Sequence, residues 1–296
     1  MVEQAEIRLA DGPRLHTRTA GSPDAPITVV LLHGWVLDGR TWHRQVRPLA
    51  EIARVVTYDA RGHGRSGGID RGAATLAHLG DDLAEVLHAV APTGPVVLAG
   101  HSLGGMTIME YAHRHPADFA ARVAGLFFLG TTAEGHTHTV YGLPPRVAHL
   151  IRMAEMTSAQ VLARMGDWRP HRAFALALRP SLRWLLFGHP CDPADVTLTT
   201  RAVARASLGS IGGFRPSVGT QARLETLAEL PTVPTAVLVG ERDRLTPPVC
   251  SHSIAKALPG AALTICPAAG HMLMLERPDV VTEALLGVVR AALDGR

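Results

Sequence analysis

Short apolar runs alternate along the chain with amphipathic stretches of helical period. The runs Ile27–His33, Pro95–His101 and Val123–Gly130 are apolar at nearly every position, which is typical of strands buried on both faces of a sheet. The stretches Leu76–Val90 and Leu103–His115 repeat apolar residues at helical spacing and end beside a proline. This alternation predicts an α/β fold, with a mostly parallel sheet and helices on both of its faces.

The same pattern continues at both ends of the chain. Glu3–Leu9 and Leu15–Ala20 flank an Asp-Gly-Pro turn signal, so they predict an antiparallel hairpin. Further strands are predicted at Ala53–Tyr58, Val233–Gly240 and Ala261–Cys266. The other helices predicted outside the middle of the chain are Thr41–Glu51, Pro248–Leu258 and Val280–Leu293.

The alternation stops between residues 131 and 230, where no strong strand pattern occurs. Helical patterns are separated there by prolines and glycines, and the segment is too long for a loop. The sequence therefore predicts a core of residues 1–130 and 231–296 that carries an inserted helical cap, residues 131–230. The helices predicted in the cap are Arg146–Met156, Ala159–Met165, Pro170–Leu178, Leu182–Phe187 and Ala194–Leu208.

Composition excludes several classes of protein. With 47% hydrophobic and 19% charged residues among 296, the chain is not of the disordered class. The net charge of +3 comes from scattered arginines rather than a basic cluster, so no nucleic-acid partner is expected. No apolar run is long enough to span a membrane, and the first residues lack the apolar core of a secretory signal. We therefore expect a cytoplasmic protein without stable membrane insertion.

The first candidate for chemistry is a serine at the junction of a buried strand and a helix. The segment Gly100–Gly104 reads Gly-His-Ser-Leu-Gly and matches the G-x-S-x-G pattern in the strand–turn–helix context that this pattern requires. A sharp turn there lifts the hydroxyl of Ser102 clear of the backbone, and the N-terminus of the following helix favours negative charge nearby. Ser102 is therefore the candidate nucleophile.

A serine nucleophile needs a base, and the base needs a carboxylate that orients it. Asp243 lies just beyond the strand Val233–Gly240, and His271 lies in a loop before the last helix. Glu241 competes with Asp243, because side chains two apart on an extended segment face the same way. Asp243 is preferred because it lies further past the end of the strand.

The third requirement is a pair of donors for a developing oxyanion. The strand Ile27–His33 ends in an abrupt turn, His33–Trp35, at the same edge of the sheet as Ser102. The backbone N–H groups of Trp35 and Leu103 are the natural donors at this edge.

A metal site is not predicted. His136 and His138 have no companion carboxylate or cysteine at ligand spacing, on this interpretation of the sequence. The three cysteines form no CxxC pair, so neither a disulfide framework nor a zinc ribbon is expected. No metal, nucleotide or flavin is needed for the chemistry of these residues.

Taken together, these motifs resemble the α/β-hydrolase family over nearly the whole chain. The resemblance implies Ser102 as nucleophile, His271 as base, Asp243 as its partner, and the amides of Trp35 and Leu103 as oxyanion donors. It is strongest for the branch of cofactor-free haloperoxidases and small esterases. It implies a structural role for the loop after the fourth strand. The motifs that carry it are His33–Trp35, Asp59–Ser66, Gly100–Gly105, Gly240–Asp243 and Gly270–His271.

The expected activity is hydrolysis of a carboxylic ester through an acyl-enzyme. Serine at the nucleophile position removes the haloalkane dehalogenases and epoxide hydrolases of the resembled family, which use aspartate there. A cap rich in Leu, Ala, Val and Met predicts an apolar cavity and an uncharged acyl group of short to medium length.

Other activities stay open on the sequence. Within enzymes they are a perhydrolase, a lactonase, a thioesterase and a carbon–carbon bond hydrolase. Outside enzymes the same residues fit a hydrolase-like ligand-binding receptor, and a lipid-surface binder ranks last because no strongly amphipathic basic face is evident. The expected partner is a small-molecule ester, and the sequence carries no signal for the oligomeric state.

Overall fold

An eight-stranded sheet forms the centre of the protein. The structure is a computed structural model that describes residues 2–69, 72–169 and 171–295. The strand order is β1-β2-β4-β3-β5-β6-β7-β8, in which β2 is antiparallel to both neighbours and β3 to β8 are parallel. The prediction of a mostly parallel sheet is thereby confirmed. The strands are β1 (Glu3–Arg8), β2 (Arg14–Ala20), β3 (Thr28–Leu32), β4 (Arg54–Tyr58), β5 (Val96–His101), β6 (Val123–Leu129), β7 (Thr235–Gly240) and β8 (Ala262–Cys266).

Fourteen α-helices surround this sheet in the described part of the chain. Before β7 they are α1 (His43–Leu49), α2 (Leu76–Val90), α3 (Leu103–Arg114), α4 (Pro116–Arg122), α5 (Pro145–Arg164), α6 (Arg172–Ala177), α7 (Arg179–Leu186), α8 (Pro193–Val203), α9 (Leu208–Gly213), α10 (Arg215–Thr220) and α11 (Leu224–Ala228). After β7 they are α12 (Pro248–Ala257), α13 (Leu273–Glu276) and α14 (Pro278–Asp294). None of the helices in the described residues is long and apolar enough to cross a membrane.

The two faces of the sheet are buried in two separate apolar cores. Side chains of a strand alternate between faces, so the adjacent Phe127 and Phe128 of β6 belong to opposite cores. Helices α2, α3 and α12 contribute to the core that contains Phe128. Helices α1 and α14 contribute to the core that contains Phe127. The strands β3 to β7 are therefore held on both sides, and their C-terminal ends are fixed points from which loops can present side chains.

All seven helices from α5 to α11 lie in the segment between β6 and β7, residues 131–230, which we call the helical insertion. The two helices predicted over 146–156 and 159–165 are one helix, α5. Thr157 and Ser158 form the gap between the two predicted helices, but they continue α5. Their hydroxyls donate to the carbonyls of Met153 and Glu155 one turn earlier, so both side chains are accommodated within the helix. Pro170, predicted to begin a helix, lies outside the described residues; the described part of that helix is α6.

The helix predicted over 194–208 is also corrected. The helix there, α8, ends at Val203, and after a break α9 begins at Leu208, the last residue of the predicted helix. Ser207 caps the second helix, since its hydroxyl accepts a hydrogen bond from the N–H of Ser210 at 3.1 Å. The break brings α9 to the edge of the sheet, where the hydroxyl of Ser210 also donates to the carbonyl of Gly62.

The loop after β4, Asp59–Ser66, holds the ends of neighbouring strands together. The buried carboxylate of Asp59 accepts hydrogen bonds from the N–H groups of Gly39 and Arg65, both at 2.9 Å. The N–H of Ala60 donates to Nε2 of His33 at 2.9 Å. These bonds connect β4 to the turn that follows β3, so the loop positions the backbone on which Trp35 lies.

His63 in this loop predicts a loss of stability in acid. It is fully buried, and burial lowers the pKa of its imidazole from 6.5 to about 3. Below pH 6.5 His63 binds a proton in the unfolded chain but stays neutral in the folded chain. The free energy of unfolding therefore falls as the pH is lowered to about 3. Between about pH 7 and pH 5 this histidine accounts for a loss of about 2 kcal/mol. Urea unfolding at the two pH values measures it.

The test is His63→Asn, since the amide can still donate to the carbonyl of Arg61 as Nδ1 does at 2.8 Å. The variant should lose about 2 kcal/mol less than the parent between the two pH values. Replacing the exposed His252 by Asn is the matched control and should leave the parent's pH dependence unchanged. An equal acid loss in both variants would show that other groups control it.

Candidate active site

Ser102 lies on a strained turn between β5 and α3. Its φ is 52° and its ψ is −115°, a backbone conformation that residues other than glycine rarely adopt. The turn is compact because glycines flank it: a Cβ at Gly100 would lie 2.4 Å from the N of Gly105, and a Cβ at Gly104 would lie 2.4 Å from the carbonyl oxygen of Leu32. The geometry is the sharp strand-to-helix turn that the sequence predicted, with Ser102 directly before the first residue of α3.

A buried carboxylate–imidazole pair lies at the ends of β7 and β8. The Oδ2 atom of Asp243 is 2.7 Å from Nδ1 of His271, and the two residues are only 4% and 3% exposed. A carboxylate accepts hydrogen bonds, so Nδ1 carries the proton and Nε2 is left with a free lone pair. The sequence-predicted base and acid are thus brought together.

The carboxylate of Asp243 is held from its other side as well. Its Oδ1 accepts the N–H groups of Leu245 and Thr246, both at 2.9 Å. Its Oδ2 accepts the hydroxyl of Thr246 at 2.9 Å. These bonds fix the plane of the carboxylate. Thr246 was missed in the sequence, because its role depends on the turn that follows β7.

Glu241, the competing acid, faces a different partner. Its Oε2 accepts the N–H of Ala268 at 2.9 Å on the surface. The expectation that residues 241 and 243 face the same way was wrong, because the chain is not extended there. The N–H of Asp243 donates to the carbonyl of Gly240, the last residue of β7. This hydrogen bond closes a tight turn directly after the strand.

The main chain of His271 is held by two contacts. Its N–H donates to the carbonyl of Leu186 in the helical insertion at 2.8 Å. Its carbonyl accepts a hydrogen bond from Nε2 of the buried His101 at 3.0 Å, and the two rings lie 4.6 Å apart. Burial holds the pKa of His101 well below its ordinary value, so this ring is neutral. His101 is a positioning residue that sequence reasoning missed; its place directly before Ser102 was the available signal.

The predicted oxyanion donors lie in the turn after β3, for Trp35, and at the start of α3, for Leu103. Leu103 is the first residue of α3, so its N–H has no acceptor within the helix. Trp35 follows Gly34, at which a Cβ would come within 2.7 Å of Nδ1 of His101. The indole of Trp35 is fixed by a hydrogen bond from Nε1 to the carbonyl of Ser210 at 3.1 Å. Gly34 and Trp35 line the same cavity as Ser102.

That cavity has a volume of about 410 Å³. Ser102 and His271 lie in its wall on the side of the sheet, and the helical insertion supplies much of the remaining wall. Most of the lining is apolar, as the composition of the cap predicted, with Met106, Leu162 and Leu182 among its members. Charged and hydroxyl-bearing side chains of the insertion, which the composition did not indicate, also reach the cavity.

No group of three or more His, Cys, Asp or Glu side chains that could hold a metal occurs among residues 2–69, 72–169 and 171–295. The sequence interpretation of His138 needs one correction. Glu134 lies beside it, with Oε2 at 3.2 Å from Nε2, so a carboxylate does stand near this histidine. The three cysteines are free thiols.

The model of the alpha/beta hydrolase family matches residues 29–284. The chain is 33% identical over 210 residues to the probable oxidoreductase EphD of Mycobacterium tuberculosis; the match covers 68% of this chain and 31% of that protein. The chain thus spans about a third of the length of this curated relative. It is 26% identical over 298 residues to the proline iminopeptidase PfmaB of Pestalotiopsis fici, covering 96% of this chain and 98% of that protein.

Among solved structures, a thermophilic esterase from Thermogutta terrifontis superposes with a TM-score of 0.78. It is 25% identical in sequence, and the superposition covers 98% of this chain and 99% of that chain.

Proposed function

The chain belongs to the alpha/beta hydrolase family, and on that premise we propose that it is a serine hydrolase that cleaves a carboxylic ester through an acyl-enzyme. The observation that carries the proposal is the buried hydrogen bond of 2.7 Å between Asp243 and His271. His271 of this pair lines the same cavity as Ser102, which lies on a strained turn. The nucleophile, the base and its orienting acid follow in the order serine, acid, histidine along the chain.

The first half of the reaction forms the acyl-enzyme. Nε2 of His271 takes the proton of Ser102 while Oγ attacks the ester carbonyl carbon. The negative charge that develops on the carbonyl oxygen is stabilised by the N–H groups of Trp35 and Leu103. His271 then gives the proton to the departing alcohol, and the ester C–O bond breaks.

The second half returns the enzyme to its starting state. His271 takes a proton from water, the hydroxide adds to the acyl carbon, and Oγ of Ser102 leaves with the proton from His271. In each half the carboxylate of Asp243 stabilises the transient imidazolium. It is suited to this role because its hydrogen bonds to Leu245 and Thr246 hold it in place beside the imidazole.

The test combines turnover with covalent labelling. We expect hydrolysis of p-nitrophenyl acetate and butyrate, and a fluorophosphonate should add its mass to the peptide that contains Ser102 alone. A ligand-binding receptor with the same fold would not hydrolyse the esters, and it would not need a serine that reacts with the fluorophosphonate. Absence of both signals would therefore reject the proposal. Loss of activity in a chelator, restored by zinc, would instead reject the metal-free mechanism.

The same catalytic groups are also competent for lactones, thioesters, perhydrolysis and carbon–carbon bond hydrolysis. A panel that compares kcat/KM for an aliphatic lactone, a thioester and an ester of equal acyl length ranks them. We expect the ester to exceed the thioester, because an alkoxide leaving group gains more from protonation by His271 than a thiolate does.

A further inference from the structure

A cluster of polar side chains lies in the wall that the helical insertion contributes to the cavity. It consists of Tyr141, Glu155 and Arg215, all of which line the cavity, and we call it the Arg215 cluster. The hydroxyl of Tyr141 donates to Oε2 of Glu155 at 2.7 Å. Nη2 of Arg215 donates to the hydroxyl of Tyr141 at 2.6 Å and pairs with the carboxylate of Glu155. These contacts join three separate parts of the insertion.

One hydrogen-bond donor of the Arg215 cluster has no acceptor among the described residues. Arg215 is only 6% exposed, and its Nε has no hydrogen-bond partner among the described residues. The Nε2 of His136, in the same cavity wall, also has none there. A buried donor without an acceptor costs free energy, and more so when it is charged. The Nε–H of Arg215, which can only donate, is therefore suited to an acceptor that enters the cavity.

The orientation of Arg215 is fixed toward the reacting end of the cavity. Its guanidinium carbon lies 5.5 Å from the ring centroid of Trp35, the residue whose amide is a proposed oxyanion donor. Tyr141 and Glu155 hold the guanidinium from its other side. An arginine held by three neighbours loses little conformational entropy on binding a ligand.

The charge around the cluster is positive. Arg215 and Arg152 carry two positive charges against one negative charge on Glu155, since Nη1 of Arg152 donates to the carbonyls of His136 and Thr139 rather than to a carboxylate. Burial, together with these two arginines, lowers the pKa of His136 to about 4, so this ring is neutral. The carboxylate of Glu155 is about a third exposed and already bonded, which weakens its repulsion of a second anion.

We propose that the Arg215 cluster binds a carboxylate of the substrate, so that the preferred ester carries a carboxylate remote from the bond that is cleaved. The inference rests on the proposed function and names its substrate class. The carboxylate would accept the free Nε–H of Arg215 in a charge-assisted hydrogen bond. Because the rest of the cavity is mainly apolar, a single bond of this kind dominates the choice between substrates.

The experiment compares two p-nitrophenyl esters of equal size. One is the monoester of glutaric acid, which ends in a carboxylate; the other carries an isopropyl group in its place. Succinate and adipate pairs extend the series to shorter and longer reach. We expect kcat/KM for the carboxylate ester to exceed that of its isostere in at least one pair. In Arg215→Met the ratio should fall by roughly 10- to 100-fold, the range of a charged hydrogen bond.

The ratio does not depend on the fraction of enzyme that is folded, because both esters are measured on one preparation. If Arg215→Met fails to fold, the double variant Arg215→Met/Glu155→Gln removes the orphaned carboxylate as well, and the same ratio is measured. Arg223→Met is the matched control. It breaks a pair with Glu110, whose oxygens lie 2.9 and 3.1 Å away, and neither residue lines the cavity. The control should keep the parent's ratio.

Three results would overturn the inference. A ratio unchanged in Arg215→Met, while esters are hydrolysed and Ser102 is labelled, rejects the inference and leaves the proposed function standing. Equal preference for the neutral methyl ester of glutarate and for the carboxylate rejects the carboxylate as ligand. Absence of both turnover and labelling rejects the proposed function, and the inference with it.

Discussion

Ser102→Ala should lower kcat for p-nitrophenyl butyrate by roughly 10⁶-fold, the size of loss known for the nucleophile of a protease triad. The variant removes the atom that forms the acyl-enzyme and leaves the proposed oxyanion donors in place. The backbone of the turn should persist, since the N–H of Ser102 donates to the carbonyl of Leu129 and its carbonyl accepts the hydroxyl of Thr131. We therefore expect Tm to change by only a few degrees.

The control for this result is Ser22→Ala, at an exposed serine in the turn before β3 that does not line the cavity. It should keep both the parent's kcat and its labelling by a fluorophosphonate, whereas Ser102→Ala should lose both. Activity at the parent's level in Ser102→Ala would refute the mechanism outright. A fall in Tm large enough to explain the loss would call for measurement at a lower temperature.

Asp243→Asn should lower kcat by about 10³- to 10⁴-fold, as in the protease precedent. The backbone N–H groups of Leu245 and Thr246 both point at Oδ1, so the amide oxygen would remain there. The amide NH₂ would then face Nδ1 of His271 and donate to it. A ring that accepts at Nδ1 carries its proton on Nε2 and cannot take the proton of Ser102.

Glu241→Gln is the matched control, two residues away and of the same chemical change. Its side-chain oxygen can still accept the N–H of Ala268, so kcat should fall by less than about tenfold. A larger loss at residue 241 than at residue 243 would identify Glu241 as the acid. Crystals or NMR spectra that place the His271 proton on Nδ1 in Asp243→Asn would contradict the tautomer argument.

The central strands β3 to β7 were predictable because each is an apolar run that is almost wholly buried, whereas the exposed hairpin β1-β2 was predictable from its turn signal. All eight predicted strands overlap those of the structure, and their ends differ by one or two residues. The helices α4, α10, α11 and α13 were not predicted. They have seven, six, five and four residues, too few to repeat a helical period, and packing rather than pattern specifies them.

The site was predictable to the extent that its residues follow the ends of strands. Ser102, Asp243 and His271 do so, and parallel strands bring their C-terminal ends to one edge. Arg215 could not be found in this way. Its partner Tyr141 is 74 residues away along the chain and Glu155 is 14 residues beyond Tyr141, so the cluster exists only once the insertion has folded. The turn that separates Asp243 from Glu241 was missed for a different reason: it is local, but the alternation of side chains along an extended segment does not reveal where the strand ends and the chain turns.

Amino-acid substitutions should be tolerated differently at the serine turn, which glycines keep compact, and in the part of the cavity wall that the helical insertion contributes. Added carbon atoms at Gly100 or Gly104 would meet backbone atoms at 2.4 Å, and backbone cannot move aside without disturbing the sheet. Leu162, Leu178 and Leu182 face the same cavity from helices or turns of the insertion, where neighbouring side chains can adjust. In a random mutant library selected for new substrates, accepted changes should therefore accumulate in residues 131–230, while the serine turn keeps its parental residues. Variants of this chain can therefore acquire new substrates while the serine turn and its proposed nucleophile stay the same.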